Sequence, residues 1–475
     1  MPLILPGNVA SAVAGAYSIA NSCRFDAASN DNLTLTFGTP TDNDNWTMSF
    51  WVKKCVVVDS NDTPISAGDS GTNFTNMYFA SYYFNFADYQ GSSTGQLKTN
   101  RIFRDPSAWL HYVCVWDSDN GTAGDRMKLY VNGVEETRFS DDTNPSEGLN
   151  SVYNSALAHQ IGTDQAGSAD LDGYLAEIVF IDGQALAPTS FGEFDEDSPT
   201  IWKPIDPSGL TFGDNGFWLD FENSAALGND VSGNDNDWTV NNLDAASQAT
   251  DSPTNNFCTM NPLDNYFAAM TFSEGNCKTV TTGSKAYVTG TVGLTAGKWY
   301  WEVKVATEAA GAFSMIGIAD VPATGTTTNF ALGYTATTWC YYGYDGGYRN
   351  SNSTTSYGDA YAATSDIIGV YLDLDNNKLY FAKNGTVQNS GTGISITAPA
   401  SLTSGAYFPA TNYWDDGVAT YEHNFGGSPS FTVSSAVADT NGYGAFEYDP
   451  SAGTFDSASK DFLAICTKNL GSDGG

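Results

Sequence analysis

Two segments of the chain alternate apolar and polar residues up to an Asn-Gly pair and then resume the alternation. They are DRMKLYVNGVEE (residues 125–136) and DLDNNKLYFAKNGTVQ (residues 373–388). A type I′ turn needs positive φ at both central residues, which Asn and Gly tolerate best. We therefore predict one β-hairpin in each half of the chain. The two turns are Asn132-Gly133 and Asn384-Gly385.

Aromatic and aliphatic runs of strand length recur along the rest of the chain. The clearest are NWTMSFWVKK (45–54), SAWLHYVCVWD (107–117), GKWYWEVKV (297–305) and DIIGVYLDLD (366–375). Gly, Asn and Asp separate these runs, and long amphipathic helical periods are almost absent. The pattern predicts an all-β fold with two antiparallel β-sandwich domains joined by a turn-rich linker.

The changes in composition divide the chain into five segments. The predicted segments are an N-terminal arm (1–20), a first sandwich (21–195), a linker with a short hairpin (196–256), a second sandwich (257–435) and a C-terminal tail (436–475). The arm is apolar, and Pro2, Pro6 and Gly7 interrupt it. An exposed apolar arm tends to dock, so we expect an assembly or anchor segment, with a first strand laid on the sandwich as the equal alternative.

The charge balance excludes several classes of partner. The 475 residues include 54 acidic and 19 basic side chains, giving a formal net charge of −35. Nucleic-acid binding needs Lys and Arg for the phosphates, so we expect no nucleic-acid partner. Anionic membrane surfaces are disfavoured for the same reason. We also predict no transmembrane segment and no signal peptide, because no apolar run is long enough and the N-terminus lacks a basic region.

Seven cysteines are widely spread and show no Cys-x-x-Cys pair. Cys114 and Cys340 lie inside apolar strand runs, where a thiol behaves as a small buried hydrophobe. The spacing therefore argues against a disulfide framework or a zinc site, and it favours folding in a reducing compartment.

Two sets of motifs resemble known families. WTMSFWVK, WLHYVCVWD followed by KLYVNG, and DGYLAEIVFIDGQAL resemble the laminin-G/concanavalin A-like lectin fold, a jelly-roll type of sandwich. The Trp-Tyr-Trp-Glu strand at 299–302, the Ile-Gly-Ile at 316–318 and the hairpin at 373–388 resemble the SPRY family. The second resemblance implies a bent β-sandwich that serves as a binding module, with its ligand face formed by loops.

No catalytic motif accompanies the lectin-like fold, so we expect no enzyme activity. The nearest approach to the glucanase pattern E-x-D-x-x-E is EFDEDS (193–198), in which Ser198 replaces the final acid. The chain has three histidines and no G-x-S-x-G elbow, phosphate loop or dinucleotide motif. We interpret His111, within a strand, as a packed core histidine.

Exposed aromatic rings flanked by Asp, Asn or Arg are the side chains that a sugar site needs. The densest such stretches run from residue 339 to 350 and from 413 to 416. The predicted ligand-binding residues are Trp339, Tyr341, Tyr344, Arg349, Trp414 and Asp415. Alternation along a strand places about half of such aromatics in the core.

An acidic loop offers oxygen ligands for Ca²⁺, the one cofactor that we consider. Asp230, Asp235 and Asp237 stand close together there with Asn234. The spacing does not match an EF-hand. The alternative is a solvated loop of Asx turns, which we favour.

The combination of an acidic, cysteine-reduced lectin-like module with an SPRY-like module resembles structural proteins of tailed bacteriophages. That resemblance implies a virion protein assembled in the host cytoplasm and displayed on the particle. We expect a tail-fibre or receptor-binding subunit that engages host surface polysaccharide. The expected partners are other virion proteins, through the N-terminal arm, and further copies of the chain in a homo-oligomer. The alternatives are a capsid decoration or head-fibre protein and an SPRY-type protein-binding adaptor.

Overall fold

The chain divides into two compact units, with the boundary between Thr254 and Asn255. The computed structural model describes residues 17–56, 61–267, 270–282, 286–309, 311–320, 331–361, 365–415 and 417–472. Residues 1–16 of the predicted arm lie outside the described residues. Of its remainder, Ile19 is buried with Trp51 and Trp109 of the first unit.

The first unit is built almost wholly of strands. They are β1 (Ser22–Phe25), β2 (Asn32–Thr36), β3 (Asn45–Lys54), β4 (Asn61–Ser70), β5 (Asn73–Ala80), β6 (Tyr83–Gln90), β7 (Ser93–Ile102), β8 (Trp109–Asp117), β9 (Met127–Val131), β10 (Val134–Glu135), β11 (Phe139–Thr143), β12 (Ala158–Ile161), β13 (Gly173–Asp182), β14 (Gly192–Phe194), β15 (Trp202–Pro204), β16 (Phe217–Leu219), β17 (Thr239–Asn241) and β18 (Gln248–Ala249).

Two eight-stranded antiparallel sheets form this first sandwich. One has the order β10-β9-β8-β3-β13-β1-β18, with β16 also paired to β13, and the other has the order β11-β7-β6-β5-β4-β12-β2-β17. In β3, the alternate residues Trp46, Met48 and Phe50 join the shared core, as the period of two requires. The two-stranded sheet β14-β15 lies outside both.

The prediction that residues 196–256 are a linker is wrong. Three short strands from this segment enter the two large sheets: β16 pairs with β13, β17 with β2 and β18 with β1. Phe217 and Trp238 are buried in the core of the first sandwich. Strands of two or three residues are too short to show a period of two, and the turn residues around them dominated the composition.

The second unit contains sixteen named strands in its described residues and ends in a short helix. They are β19 (Met260–Phe267), β20 (Met270–Ser273), β21 (Lys278–Thr281), β22 (Ala286–Gly290), β23 (Lys298–Glu308), β24 (Ser314–Ala319), β25 (Trp339–Tyr342), β26 (Gly347–Asn350), β27 (Ser353–Ser356), β28 (Ile367–Asp373), β29 (Lys378–Lys383), β30 (Thr386–Val387), β31 (Ile394–Ser395), β32 (Phe408–Tyr413), β33 (Ala419–Asn424), β34 (Leu463–Ala464) and α1 (Thr467–Ser472).

These strands again form two large sheets. One has the order β19-β22-β32-β24-β25-β26-β27, and the other has the order β20-β21-β33-β23-β28-β29-β30, to which β31 and β34 add at β29 and β23. Both sheets contribute to one apolar core, which includes Trp299 and Trp301 of β23 and Ile316 of β24. The predicted all-β fold of two antiparallel sandwiches is confirmed.

Short 3₁₀ helices connect some of the strands in the two units. They span Ala27–Ser29, Ala123–Asp125, Pro188–Ser190, Ala245–Ser247, Asn389–Gly391 and Pro399–Ser401. No helix among the described residues is long and apolar enough to cross a bilayer.

Residues 436–472, predicted as a tail, pack on the second sandwich. β34 pairs in parallel with β23, and Phe257 forms an isolated bridge with Cys466. The buried carboxylate of Glu302 accepts the backbone N–H groups of Glu447 at 3.0 Å and Tyr448 at 2.8 Å. These contacts make the segment part of the second domain.

Both predicted Asn-Gly hairpins are confirmed, and they use the same contacts. The φ angles are 49° and 75° at Asn132 and Gly133, and 48° and 77° at Asn384 and Gly385. The Asn132 side chain accepts the backbone N–H of His111 at 2.8 Å, and its own N–H donates to the His111 carbonyl at 2.9 Å. Asn384 repeats both bonds with the backbone of Ile367.

All seven cysteines are buried, and none of them forms a disulfide. Burial raises the pKa of the Cys340 thiol to about 12, so it stays protonated and packs as an apolar group.

Candidate ligand-binding surface

Two of the predicted ligand residues belong to the core instead. Trp339 and Tyr341 alternate along β25 with Cys340 and Tyr342, and their side chains enter the apolar core between the sheets. Tyr341 is fully buried, and its ring stacks on Phe381 at 5.2 Å. The prediction that they contact ligand is wrong, because the alternation assigns them to the inner face of the strand.

The opposite face of the same sheet carries a row of rings centred on Arg349. The guanidinium carbon of Arg349 lies 4.5 Å from the ring centre of Tyr342 and 5.9 Å from that of Tyr334. Tyr334 in turn stacks on Trp414, with ring centres 4.9 Å apart and planes at 27°. Cation–π contact and stacking therefore join residues from three separate segments.

The row continues in the other direction through Tyr344. Its ring centre lies 6.0 Å from that of Tyr342, and it stacks on Phe313 at 5.8 Å with planes at 10°. Tyr344 is 60% exposed, although most large aromatics of the described residues are buried. We call Phe313, Tyr334, Tyr342, Tyr344, Arg349 and Trp414 the aromatic surface.

The Asn350 side chain and a close approach at Gly333 hold the loop that carries Tyr334. The side chain of Asn350 donates to the carbonyls of Thr335 at 3.2 Å and Thr338 at 3.0 Å. Gly333 has φ 84°, and a Cβ placed there would lie 2.7 Å from the Cβ of Arg349. Only glycine allows this close approach, which brings the loop against β26.

Arg349 is the only cation of the aromatic surface, and only some of its N–H groups have hydrogen-bond partners. Its Nε donates to Thr354 Oγ1 at 3.0 Å, whereas its buried Nη1 has no hydrogen-bond partner among the described residues. Burial raises the pKa of Tyr342 to about 12, and the charge of Arg349 opposes that rise. The predicted residue Asp415 follows Trp414 directly and is exposed.

The aromatic surface thus unites Tyr344, Arg349 and Trp414, three of the six predicted residues. Sequence reasoning did not select Phe313, Tyr334 or Tyr342, although Tyr342 lies within the aromatic stretch 339–350. Tyr334 stands alone in a loop rich in Gly, Ala and Thr, and nothing in its neighbourhood predicts its contact with Trp414. Tyr342 is itself buried, whereas Tyr344 is exposed and Trp414 and Tyr334 are partly exposed. Exposed ring surface beside a guanidinium and hydroxyl groups is the chemistry that recognises a sugar ring.

The acidic loop does not form the predicted calcium site. The Asp230 carboxylate already accepts four hydrogen bonds, from the backbone N–H groups of Trp218, Ser232 and Asn236 and from the Ser232 hydroxyl. Asp237 accepts the Asp230 N–H at 2.8 Å, and Asp235 is exposed with φ 59°. No group of three or more metal-ligating side chains converges among the described residues. The favoured alternative of Asx turns describes this loop.

His111 is packed in the core, as predicted. Its Nε2 forms a 2.7 Å hydrogen bond with the Ser49 hydroxyl, and its Nδ1 accepts the indole N–H of Trp202 at 2.9 Å. Burial lowers its pKa to about 3, so the ring is neutral near pH 7.

Two family models match the chain. Residues 27–189 match the concanavalin A-like lectin/glucanases superfamily, and residues 298–421 match the SPRY domain. The chain therefore carries a lectin-like domain followed by an SPRY domain, as the motifs predicted. All six residues of the aromatic surface lie within the SPRY match.

Solved structures match parts of the chain. The SPRY domain of human HERC1 is 17% identical, covers 34% of this chain and 96% of its own, and has a TM-score of 0.29. A heptameric SAP-like pentraxin from Limulus polyphemus is 19% identical, covers 36% of this chain and 80% of its own, and has a TM-score of 0.27. At these TM-scores the similarities carry no argument about this chain. No curated protein matches it.

The two matched domain types support a binding role for the protein.

Proposed function

We propose that this protein is a non-enzymatic glycan-binding protein and that its SPRY domain holds the sugar on the aromatic surface. The observation that carries the proposal is the continuous row of rings from Trp414 through Arg349 to the exposed Tyr344. Pyranose rings present C–H faces that stack on aromatic rings, and their hydroxyls accept bonds from a guanidinium or donate to a carboxylate.

The geometry favours an extended polysaccharide over a small isolated sugar. The rings come from four stretches of chain and contact one another in order, and the exposed Tyr344 and the partly exposed Trp414 stand apart within the row, so different sugar residues of one chain can contact each of them. Their loop is fixed by Asn350 and Gly333 before any ligand arrives, which lowers the entropy cost of binding. Each contact is weak by itself, and several copies in a homo-oligomer would raise the avidity.

The finer proposal concerns where the protein works. We infer a tail-fibre or receptor-binding subunit on the surface of a tailed bacteriophage, engaging host surface polysaccharide. The pairing of two binding-type sandwiches supports this role, and seven buried cysteines outside disulfides suit folding in a reducing host cytoplasm. Attachment to other virion proteins is assigned to the N-terminal arm, residues 1–20.

The binding proposal is tested with the full chain on an array of bacterial surface polysaccharides. Tyr344→Ala and Trp414→Ala should each weaken binding at least tenfold, because each removes a ring face from the row. Phe194→Ala is the matched control, since Phe194 is an aromatic that is 41% exposed on the first domain. Equal binding by all three variants would refute a sugar site on the aromatic surface.

The location is tested with a phage mutant in which the gene for this protein is deleted. Loss of adsorption to the host with intact particles supports a receptor-binding subunit. Normal adsorption with reduced particle stability would instead assign the protein to capsid decoration. A chain that is absent from purified wild-type particles would overturn the virion proposal and leave the glycan-binding result to stand alone.

A further inference from the structure

We propose that Lys53 and Asp251 form a self-modification site, at which the two side chains condense into an isopeptide bond that closes the first domain as a covalent loop. Lys53 is on β3, and Asp251 follows β18 near the end of the domain. The proposal rests on the position and surroundings of this pair. It does not depend on glycan binding by the aromatic surface.

The first observation is how deeply the pair is buried. Nζ of Lys53 lies 2.7 Å from Oδ2 of Asp251, and neither side chain has any exposed surface. In every other ion pair of the described residues, at least one side chain is partly exposed. Two opposite charges that lose all their water are costly to bury, and their mutual attraction need not offset that cost in full. An amide made from the same two side chains carries no charge and removes the cost.

The second observation is that three neighbouring strands assemble the site. Lys53 is directly opposite Trp109 of β8 on one side and Tyr174 of β13 on the other. Directly opposite residues of a sheet point to the same face, so the three side chains lie together. Lys53 Nζ is 5.8 Å from the ring centre of Tyr174, and Trp109 and Tyr174 belong to one buried apolar cluster. The amine is therefore held in apolar surroundings.

The third observation is that Asp251 is fixed through both its side chain and its backbone. The indole N–H of Trp109 donates to Oδ1 at 2.9 Å, while Oδ2 accepts from Lys53. The backbone carbonyl of Asp251 accepts the hydroxyl of Ser22 at 2.6 Å. One carboxylate oxygen is therefore held by a donor, and the other lies against the amine. Holding two reacting groups in contact raises their effective concentration by several orders of magnitude.

The condensation is balanced by the release of one water. A proton passes from Nζ to Oδ2 across their hydrogen bond, leaving a neutral amine and a neutral carboxyl group. The Nζ lone pair attacks Cγ, and the new N–C bond gives a tetrahedral carbon whose Oδ1 keeps its bond from Trp109. A second proton passes from the nitrogen to Oδ2, the Cγ–Oδ2 bond breaks, and Oδ2 leaves as water. Oδ1 becomes the amide oxygen, and the reaction needs no oxidant or reductant.

The bond encloses most of the first domain. Lys53 and Asp251 are 198 residues apart, and every strand from β4 to β18 lies between them. A covalent link across so long a loop strongly restricts the unfolded chain. It also keeps these strands from being extended when the chain is pulled from its two ends.

The test is mass spectrometry of the purified full chain after denaturation. The wild-type chain should be lighter than its polypeptide mass by one water, and its protease digest should contain a branched peptide that joins residues 53 and 251. Lys53→Arg keeps the positive charge but has no primary amine, so it should show the full mass and no branched peptide. Lys54→Arg is the matched control, because Lys54 pairs with Asp62 at 2.9 Å from the same strand. It should lose the water as the wild type does.

The wild-type digest decides whether the bond exists even where Lys53→Arg fails to fold. A wild-type chain of full mass without a branched peptide, after prolonged incubation of the folded protein, would overturn the proposal and leave an ion pair alone. Loss of water in Lys53→Arg as well, or a branched peptide at other residues, would also overturn it. Neither Lys53 nor Asp251 belongs to the SPRY domain, so the glycan array result stays independent.

Discussion

The hydroxyl of Tyr17 donates a 2.8 Å hydrogen bond to Oε1 of Glu177, a glutamate that is only 5% exposed. Glu177 has φ 48° and lies where the register of β13 shifts against β3, between Ala176 and Val179. Its pKa is raised to about 8, chiefly by burial and to a smaller extent by the nearby carboxylates of Asp220 and Asp206, while the hydrogen bond from Tyr17 opposes the rise. Glu177 is therefore largely protonated at neutral pH.

This raised pKa makes the lectin-like domain less stable as pH rises. The folded state holds the proton more tightly than the unfolded chain, so the contribution of Glu177 is fully present below its ordinary value of 4.5 and is lost by about pH 8. Glu177→Gln should flatten the pH dependence of unfolding in that window. At pH 9 the variant should be more stable by roughly 2–5 kcal/mol, at about 1.4 kcal/mol per pKa unit.

Urea unfolding from pH 4 to pH 9 measures the effect of Glu177→Gln on stability. Tyr17→Phe is the control, because it removes the hydrogen bond but keeps the titrating carboxyl. A Glu177→Gln curve parallel to that of the wild type across the whole range would contradict the assignment.

Gly133 should tolerate no side chain, because Trp202 covers the hairpin turn. A Cβ there would lie 2.3 Å from a ring carbon of Trp202, and φ is 75°. Gly133→Ala should destabilise the first domain by about 2–4 kcal/mol, from clash and left-handed strain together. Gly71→Ala, in a turn with nothing within 4 Å of the added carbon, is the matched control. Thermal unfolding compares the two, and equal melting temperatures would show that Trp202 does not pack as described.

Substitutions of Tyr341 and Tyr344 should have very different effects on stability, although the two residues are only three positions apart. Tyr341→Ala empties a site in the core and should cost about 3–5 kcal/mol. Tyr344→Ala removes a ring that is 60% exposed and should change stability by less than about 1 kcal/mol. Chemical denaturation of the two variants measures both changes in the free energy of unfolding. Similar losses for both would place Tyr344 in the core and remove it from the aromatic surface.

The Asp230 loop should be insensitive to calcium but sensitive to loss of its carboxylate. Asp230→Ala leaves three backbone N–H groups without their acceptor and should destabilise the first domain by about 2–3 kcal/mol. Adding CaCl₂ or EDTA to the wild type should leave its melting temperature unchanged. A calcium-dependent rise that Asp230→Ala abolishes would reinstate the metal site.

The local sequence predicted those features of the fold that depend on neighbouring residues alone. The Asn-Gly turns followed from the backbone needs of two residues each, and both formed with the same pair of bonds to the preceding strand. The long strands followed from periods of two that run over many residues. The strands β16, β17 and β18 did not follow, because each contains two or three residues whose pairing partners lie far along the chain.

The candidate site shows the same limit. Composition identified the stretch 339–350 as aromatic, but the face of each ring depends on the register of β25 within its sheet. That register put Trp339 and Tyr341 in the core between the sheets and Tyr342 in a second buried cluster on the opposite face. The partnership of Tyr334 with Trp414 joins residues 80 positions apart, and only the fold brings them together.

In each of the two units, described residues near the start pair with described residues near the end. In the first, Ser22 of β1 pairs with Ala249 of β18, and in the second, Phe257 bridges to Cys466. A domain whose entry and exit lie side by side can be spliced into a loop of an unrelated protein, or excised from one, with little disturbance to the host chain. Each sandwich of this protein is therefore a domain that recombination can transfer between genes as one unit.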